Sequence, residues 1–357
     1  MQTLFLLSRQ CEACLVTLTA RHIRRKENEA MSKPITIVTG QWGDIPLEKL
    51  ARMMSEFGYQ GLELGGSHFD ITRGAQDKKY CDGILALLDK YNLKVWAISG
   101  HIVGQLVCDP NDCRSDMFAP PELAGKPEEK RKWAVSTMKD AARAAKNLGI
   151  EIVTGFVGSS IWHLIYSWPP VPEKMIEQGF RYFAEMWNPI FDVFDECGVK
   201  FALEVHPTEI AFDAITTKRA METVGRREAF GINFDPSHLQ WQMVNPAQFI
   251  LEFPDRIYHV HMKDAALQLN GRNSILGSHL NFGSAERGWD FRSLGHGDVN
   301  FEEIIRALNH INYQGPLSVE WEDCGMEREH GAKEALEFVK KINFEPSQIA
   351  FDSAFEK

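Results

Sequence analysis

An α/β chain closed into a single-domain (β/α)8 barrel is the fold this sequence predicts. Short β-rich apolar runs alternate with amphipathic helical stretches from residue 34 onward. The pair repeats eight times, the number that closes a parallel sheet on itself. Groups able to bind a cation recur at the ends of the later runs, the face on which barrel enzymes carry their sites. The 357 residues accommodate one barrel of roughly 250 residues with insertions.

The first strand is read at 35–39, and the amphipathic stretch 47–57 stops at Gly58. Strand two is read at 61–64 and its helix at 77–91. Strand three, 93–99, is followed by a long Pro-containing loop, 102–126, and then by a helix at 127–148 closed by Gly149. Strand four is 150–156, and its helix, 173–196, stops at Gly198. Strands five to eight are read at 199–205, 231–234, 257–262 and 317–321, with helices at 217–224, 246–252, 301–311 and 329–342. A second long loop, 265–300, follows strand seven. Loops of that length in a compact domain are usually functional.

Residues 31–343 are expected to form the barrel, 344–357 a C-terminal tail, and 1–30 an extension outside the fold. In that extension the basic run His22-Ile23-Arg24-Arg25-Lys26 follows the apolar stretch, the reverse of a secretory signal. Cys11 and Cys14 are a lone CxxC without a second pair. Seven scattered cysteines suit reduced thiols, so the expected location is cytoplasmic. The net charge of −10 counts against nucleic acid as a partner, and no apolar run is long enough to span a membrane.

Four segments carry the chemistry: Leu203-Glu204-Val205-His206-Pro207, Asn233-Phe234-Asp235-Pro236-Ser237-His238, His259-Val260-His261-Met262-Lys263-Asp264 and Ser318-Val319-Glu320-Trp321-Glu322-Asp323. Residues two apart share a strand face, so inward polar groups at successive strand ends converge. Carboxylates gathered there would repel unless a cation neutralised them. Three carboxylates and one imidazole make a hard, oxygen-rich donor set. It suits Mn²⁺, Mg²⁺ or Co²⁺ better than a thiolate zinc site. Taken singly, each acid reads as a loop anchor and each histidine as a backbone donor. It is their register on consecutive strands that makes a site.

These segments, with Gly295-His296-Gly297-Asp298-Val299-Asn300-Phe301, resemble the xylose-isomerase-like TIM-barrel superfamily, often labelled sugar phosphate isomerase/epimerase, over residues 35–342. The resemblance implies one divalent cation, Mn²⁺ before Mg²⁺ or Co²⁺, on Glu204, Asp235, His261 and Glu320, with His238 facing the substrate. It implies an isomerase or epimerase moving a proton next to a sugar carbonyl through a metal-stabilised enediolate, with Glu204 and Glu320 as proton carriers.

A narrower resemblance concerns Gly155-Phe156-Val157-Gly158-Ser159-Ser160-Ile161-Trp162-His163 and the long loop after strand seven. Both look like the branch acting on 3-oxo-glycosides, including the catalytic subunit of C-glycoside deglycosidases. That implies a lyase in which the C1 substituent leaves after C2 deprotonation, with His163 as base. A separate oxidoreductase would make the 3-oxo group, since no dinucleotide fingerprint is present. His206, His101, Arg292, Arg287, Lys263 and Trp162 are expected substrate contacts. Trp42, Trp168, Trp241, Trp289 and Trp321 also fall at or after strand ends, where indole faces can stack on sugars. No phosphate cradle is present, so the expected partner is a free sugar or a 3-oxo-glycoside. A homo-oligomer is expected, and resemblance adds a small accessory subunit. An apurinic-site endonuclease would need a basic face, and a non-catalytic sugar-binding subunit would not need paired carboxylates; both are set aside.

Overall fold

The computed structural model describes residues 33–347 except 167, together with 349, 352, 353 and 355. The expected extension, 1–30, lies outside the described residues. One unit spans Pro34–Ile342 and carries the site; the other combines Met1–Lys33 with Asn343–Lys357, and in it Lys33 pairs with Glu345 at 3.7 Å.

The larger unit is the expected barrel. Strands β1 (Ile35–Val38), β2 (Gly61–Leu64), β3 (Lys94–Ser99), β4 (Ile152–Gly155), β5 (Lys200–Glu204), β6 (Phe230–Phe234) and β7 (Ile257–Met262) run in order around it. After β7 the chain makes a two-stranded antiparallel ribbon, β8 (Asp264–Leu267) and β9 (Trp289–Arg292), before β10 (Leu317–Val319) closes the barrel between β7 and β1. Every barrel pair is parallel. Strands covered on both faces need apolar side chains throughout, which is why these read as continuous runs rather than alternations.

The helices are α1 (Leu47–Phe57), α2 (Ile71–Gln76), α3 (Lys78–Asp89), α4 (His101–Gln105), α5 (Pro127–Leu148), α6 (Glu173–Cys197), α7 (Ala214–Thr223), α8 (Pro236–Trp241), α9 (Pro246–Glu252), α10 (Phe301–His310) and α11 (Arg328–Ile342). Left-handed Gly149 (φ 72°) and Gly198 (φ 67°) end α5 and α6, as the sequence indicated. Among the described residues no helix is long and apolar enough to cross a membrane.

Three parts differ from the sequence reading. The loop expected at 265–300 contains the β8–β9 ribbon, whose base is gripped by Asp264. That carboxylate accepts N–H bonds from Ala265, Gly295, Gly297 and Val299 at 2.9–3.2 Å. The loop after β3 contains α4 and two 3-10 turns, Cys113–Phe118 and Pro121–Leu123. Helix α8 follows β6 directly because Asp235 caps it and Pro236 occupies its first turn.

Register places the site. His261 lies opposite Ser318 on β10, and the Glu320 N–H donates to the Met262 carbonyl at 3.1 Å. Glu320 therefore stands just past the end of β10 rather than inside a longer strand. On the other side, Glu204 pairs with Asn233 in register. Beneath, the aromatic layer of α6 packs on the sheet: Trp187 lies 4.7 Å from Phe201 and Phe191 5.2 Å from Phe230, ring centre to ring centre. Phe201 is fully buried at the middle of this layer. Its replacement, Phe201→Ala, is expected to destabilise the barrel by about 3–5 kcal/mol in denaturant unfolding. A loss below about 1 kcal/mol would show that α6 is not fastened here.

Candidate active site

Four side chains meet at the C-terminal mouth of the barrel. Glu204 ends β5, Asp235 follows β6, His261 lies in β7, and Glu320 follows β10. One ligand atom from each lies within 4.8 Å of the others. Asp235 turns one oxygen, Oδ1, to the N–H and hydroxyl of Ser237 at 2.8 and 2.7 Å, and leaves Oδ2 facing inward. Asp235 Oδ2 and Glu320 Oε2 are buried and accept no hydrogen bond. Glu320 Oε2 is 2.9 Å from His261 Nδ1 and 3.3 Å from Lys263 Nζ, but neither contact has hydrogen-bond geometry. Leaving a buried acceptor unpaired costs about 1–3 kcal/mol, and more when it is charged. A hard divalent cation would satisfy both oxygens at once, and no thiol belongs to the set. The residues present fit such an ion.

The electrostatics show the same strain. Burial pushes the Asp235 carboxyl up to about 6, although His238 and Lys263 pull it down. Burial would also raise Glu320, but Lys263 and His261 outweigh it and hold that carboxyl at about 2. Burial disfavours charge on His261, yet Glu63, Glu320 and Glu204 hold the imidazole well above its ordinary value. Lys263 is likewise kept charged against burial by Glu320, Glu322 and Asp235. Burial and the neighbouring His238 push His206 well below its ordinary value, so it is a neutral ring.

Sequence reasoning missed Glu63 on β2. Its carboxylate is fully buried and receives His259 Nε2 at 2.8 Å, His261 Nε2 at 3.0 Å, Ser318 Oγ at 3.2 Å and Thr154 Oγ1 at 2.6 Å. Burial would raise this acid; His261 and His259 hold it well below the carboxylate range. One signal was available, an acid at a central position of the apolar run Gly61-Leu62-Glu63-Leu64. Gln41 was missed too, and had no signal: its amide donates to Glu320 Oε1 at 3.0 Å and Glu322 Oε1 at 3.1 Å.

Above the four side chains is a chamber of about 780 Å³. His101, His206, His238, Lys263 and Trp162 line it. His101 spans Ser99 Oγ, 2.7 Å away, and Glu204 Oε2, 3.0 Å away. His238 Nε2 lies 3.3 Å from Glu204 Oε1 and 3.4 Å from Asp235 Oδ2, again without a hydrogen bond. The roof is aromatic: Trp241 of α8 stacks on Trp289 of β9 at 4.6 Å and 6°, beside Phe282 and Phe291.

Arg287 and Arg292 do not line this chamber. Arg287 stacks on Phe282 and Trp289 and donates to the Leu280 carbonyl, so it braces the ribbon from behind. Arg292 donates to the Phe291 carbonyl and faces a separate hollow with Asp290 and Asp323. Trp42 and Trp321 are buried in packing, and Trp168 is exposed. His163 lines a neighbouring cleft of about 590 Å³ under the loops after β3 and β4. Phe156, Trp162, His206 and Thr208 line both spaces.

The wall between them is fixed by Glu209, which accepts the Val157 and Gly158 N–H groups at 2.6 and 2.7 Å. Gly158 is left-handed (φ 71°), and a Cβ there would meet the Gln105 carbonyl at 2.2 Å. Burial first, then Asp109, pushes the Glu209 carboxyl from 4.5 up to about 8. The folded protein thus prefers the neutral acid. Its contribution to stability is complete below about pH 4.5 and is lost as pH rises to about 8. Glu209→Gln keeps an acceptor for both N–H groups and cannot ionise. Calorimetry from pH 5 to 9 is expected to show the wild-type Tm falling relative to this variant, and parallel profiles would place the Glu209 charge elsewhere.

Comparison with known proteins agrees with this architecture. The chain is 26% identical to the uncharacterized protein YfiH of Bacillus subtilis over 323 residues, covering 86% of this chain and 98% of that one. It is 25% identical to an inosose dehydratase of Clostridium perfringens over 146 residues, 41% of this chain and 48% of that one. Among solved structures, the apo form of 3-keto-D-glucoside 4-epimerase YcjR from E. coli superposes with a TM-score of 0.61 at 14% identity, over 87% of this chain and 99% of that one. The xylose isomerase-like TIM barrel family model matches residues 51–342, and the chain belongs to that family.

Proposed function

We propose that the protein is a divalent-metal-dependent sugar isomerase or epimerase, moving a proton on the carbon beside the carbonyl of a polyhydroxy ketone. The observation that carries this reading is the pair Glu204 and Glu320. They come from β5 and β10, which are not neighbours in the sheet, and both face one chamber under an aromatic roof.

A cation on Glu204, Asp235, His261 and Glu320, with Mn²⁺ first, would supply positive charge where the substrate oxygens turn negative. The protein's own groups do the rest. One of the two carboxylates takes the proton from the carbon next to the carbonyl. The other, on the opposite wall, can return one to the other face. Lys263, kept charged by its acidic neighbours, donates to a substrate oxygen. Neutral His206 and the partnerless Nε2 of His238 are available to substrate hydroxyls. The Trp241–Trp289 roof with Phe282 and Phe291 gives the chamber an apolar wall, beside which each of these interactions is stronger than in open water.

A second reading shares the first step and ends in elimination. The cleft beside the chamber favours it, because a group attached to the reacting ring can lie there. The names of two relatives, an inosose dehydratase and a 3-keto-D-glucoside epimerase, bracket the two outcomes. In this reading the substrate is a 3-oxo-glycoside. The C2 proton goes to a chamber carboxylate, its electron pair forms a C1=C2 double bond as the C1 bond breaks, and the leaving group carries off that bonding pair toward Trp162 and His163.

The test is to load the protein with Mn²⁺ in deuterated water and supply D-fructose or a 3-oxo-glucoside, following deuterium uptake and aglycone release by NMR. Exchange at the carbon beside the carbonyl is expected; exchange on neither substrate would remove the reading. Glu320→Gln is expected to lower kcat by about 10²–10⁴-fold with KM within a few-fold. Damage confined to KM would make Glu320 a binding group only. Asp235→Ala is expected to lose bound metal and activity together while the far-UV circular dichroism stays that of the barrel.

A further inference from the structure

We infer that Glu63 is a positioning residue of the candidate metal centre: it fixes the edge-on orientation of His261, so that Nδ1 faces Glu204, Asp235 and Glu320. The inference rests on the metal reading above.

The geometry comes first. The two nitrogens of His261 face opposite ways. Nδ1 lies 3.2 Å from Glu204 Oε2 and 2.9 Å from Glu320 Oε2, while Nε2 lies 3.0 Å from Glu63 Oε2. An ionised carboxylate only accepts hydrogen bonds, so the proton between His261 and Glu63 sits on Nε2. When a cation displaces the second proton of the ring, Nδ1 is then the nitrogen left bare to take it. Without Glu63 the ring has no carboxylate behind it, and the Asn233 amide, 3.2 Å from both ring nitrogens, does not tell them apart. The negative charge on that side also makes Nδ1 a stronger donor. A carboxylate behind a metal-bound histidine works in this way generally, and losing it typically costs about 10–100-fold in metal affinity.

Two other roles for Glu63 fit the structure less well. It could belong to a second cation site with His259 and His261, whose ligand atoms also lie close together. All three residues are fully buried, however, and the carboxylate is already taken up by Thr154, Ser318 and the two histidines. A cation there would displace donors already in place. Alternatively, Glu63 could be a core filler. A buried carboxylate is a costly filler where a Leu or Met of similar volume would pack without desolvation. This one ties β2 to β4, β7 and β10 across the barrel interior, and two of its four partners belong to the strand that carries the metal-facing ring.

The experiment is a metal titration of purified, metal-stripped protein, with Mn²⁺ alone as probe and free Mn²⁺ read by electron paramagnetic resonance. Glu63→Gln keeps the shape: its carbonyl can accept from His259, His261 and Ser318, and its amide can meet the Thr154 hydroxyl. The stripped variant is expected to keep the wild-type circular dichroism and bind one Mn²⁺ per chain about 10–100-fold more weakly. Exchange activity should return at saturating Mn²⁺, because Glu63 acts through the ring and not on the substrate. Affinity within twofold of wild type would overturn the inference. So would two Mn²⁺ per wild-type chain falling to one in the variant, which would make Glu63 itself a ligand. Should Glu63→Gln fail to fold, Thr154→Val loosens the same carboxylate without removing its charge. A several-fold loss of Mn²⁺ affinity is then expected, and no loss would overturn the inference. Wild-type protein that binds no Mn²⁺ would remove the metal reading itself, a separate result from any difference between variants.

Discussion

Negative charge confined in a buried space is the constraint on which this structure turns. Glu63, Glu204, Asp235 and Glu320 all project into the upper barrel, three of them fully buried and Glu320 nearly so. Left alone they would push one another apart or take up protons. The surrounding residues read as answers to that problem. Lys263 stands between Asp235, Glu320 and Glu322. His261 lies between two acid groups, and His101 and His238 flank Glu204. Gln41 satisfies one oxygen of Glu320. What the protein leaves without a hydrogen bond is one inward oxygen each on Asp235 and Glu320.

The barrel itself was legible because its elements obey local rules. Continuous apolar runs of strand length, glycine stops at Gly149 and Gly198, and the alternation of the two patterns are sequence properties, and the strands fall within two residues of where they were read. The four acid and imidazole positions were legible for a related reason. Each lies at the junction of an apolar run and a turn, so a register count alone brings them together. Glu63 escaped because its meaning is long-range. Nothing near it in sequence announces that its partners are Thr154, His259, His261 and Ser318. The β8–β9 ribbon escaped because its strands are short and polar-flanked, and Asp264 fixes it through backbone N–H groups that carry no sequence signature. Arg287 and Arg292 drew attention as charges in a long loop. In the structure their guanidiniums serve ribbon carbonyls and aromatic faces, a use that composition cannot distinguish from substrate binding.

The division of labour follows the barrel's geometry. Strand ends supply the acids and imidazoles, held by a closed sheet that cannot slide. Loops supply the roof and the side cleft, held by carboxylate anchors, buried Asp264 for one and buried Glu209 with half-buried Asp109 for the other. The strand-end cluster of acids and imidazoles and the loop surfaces above it are thus fastened separately, so the loops can change while the cluster stays intact.

The roof carries one more consequence. Trp241 and Trp289 lie face to face at 4.6 Å, one on a helix fixed to the barrel and the other on the ribbon. Transition dipoles of two indoles at that distance couple, and the coupling weakens steeply as the rings separate. The protein therefore has a built-in optical gauge: a paired indole band near the short-wavelength end of its circular dichroism registers whether the ribbon is seated over the chamber, with no label attached.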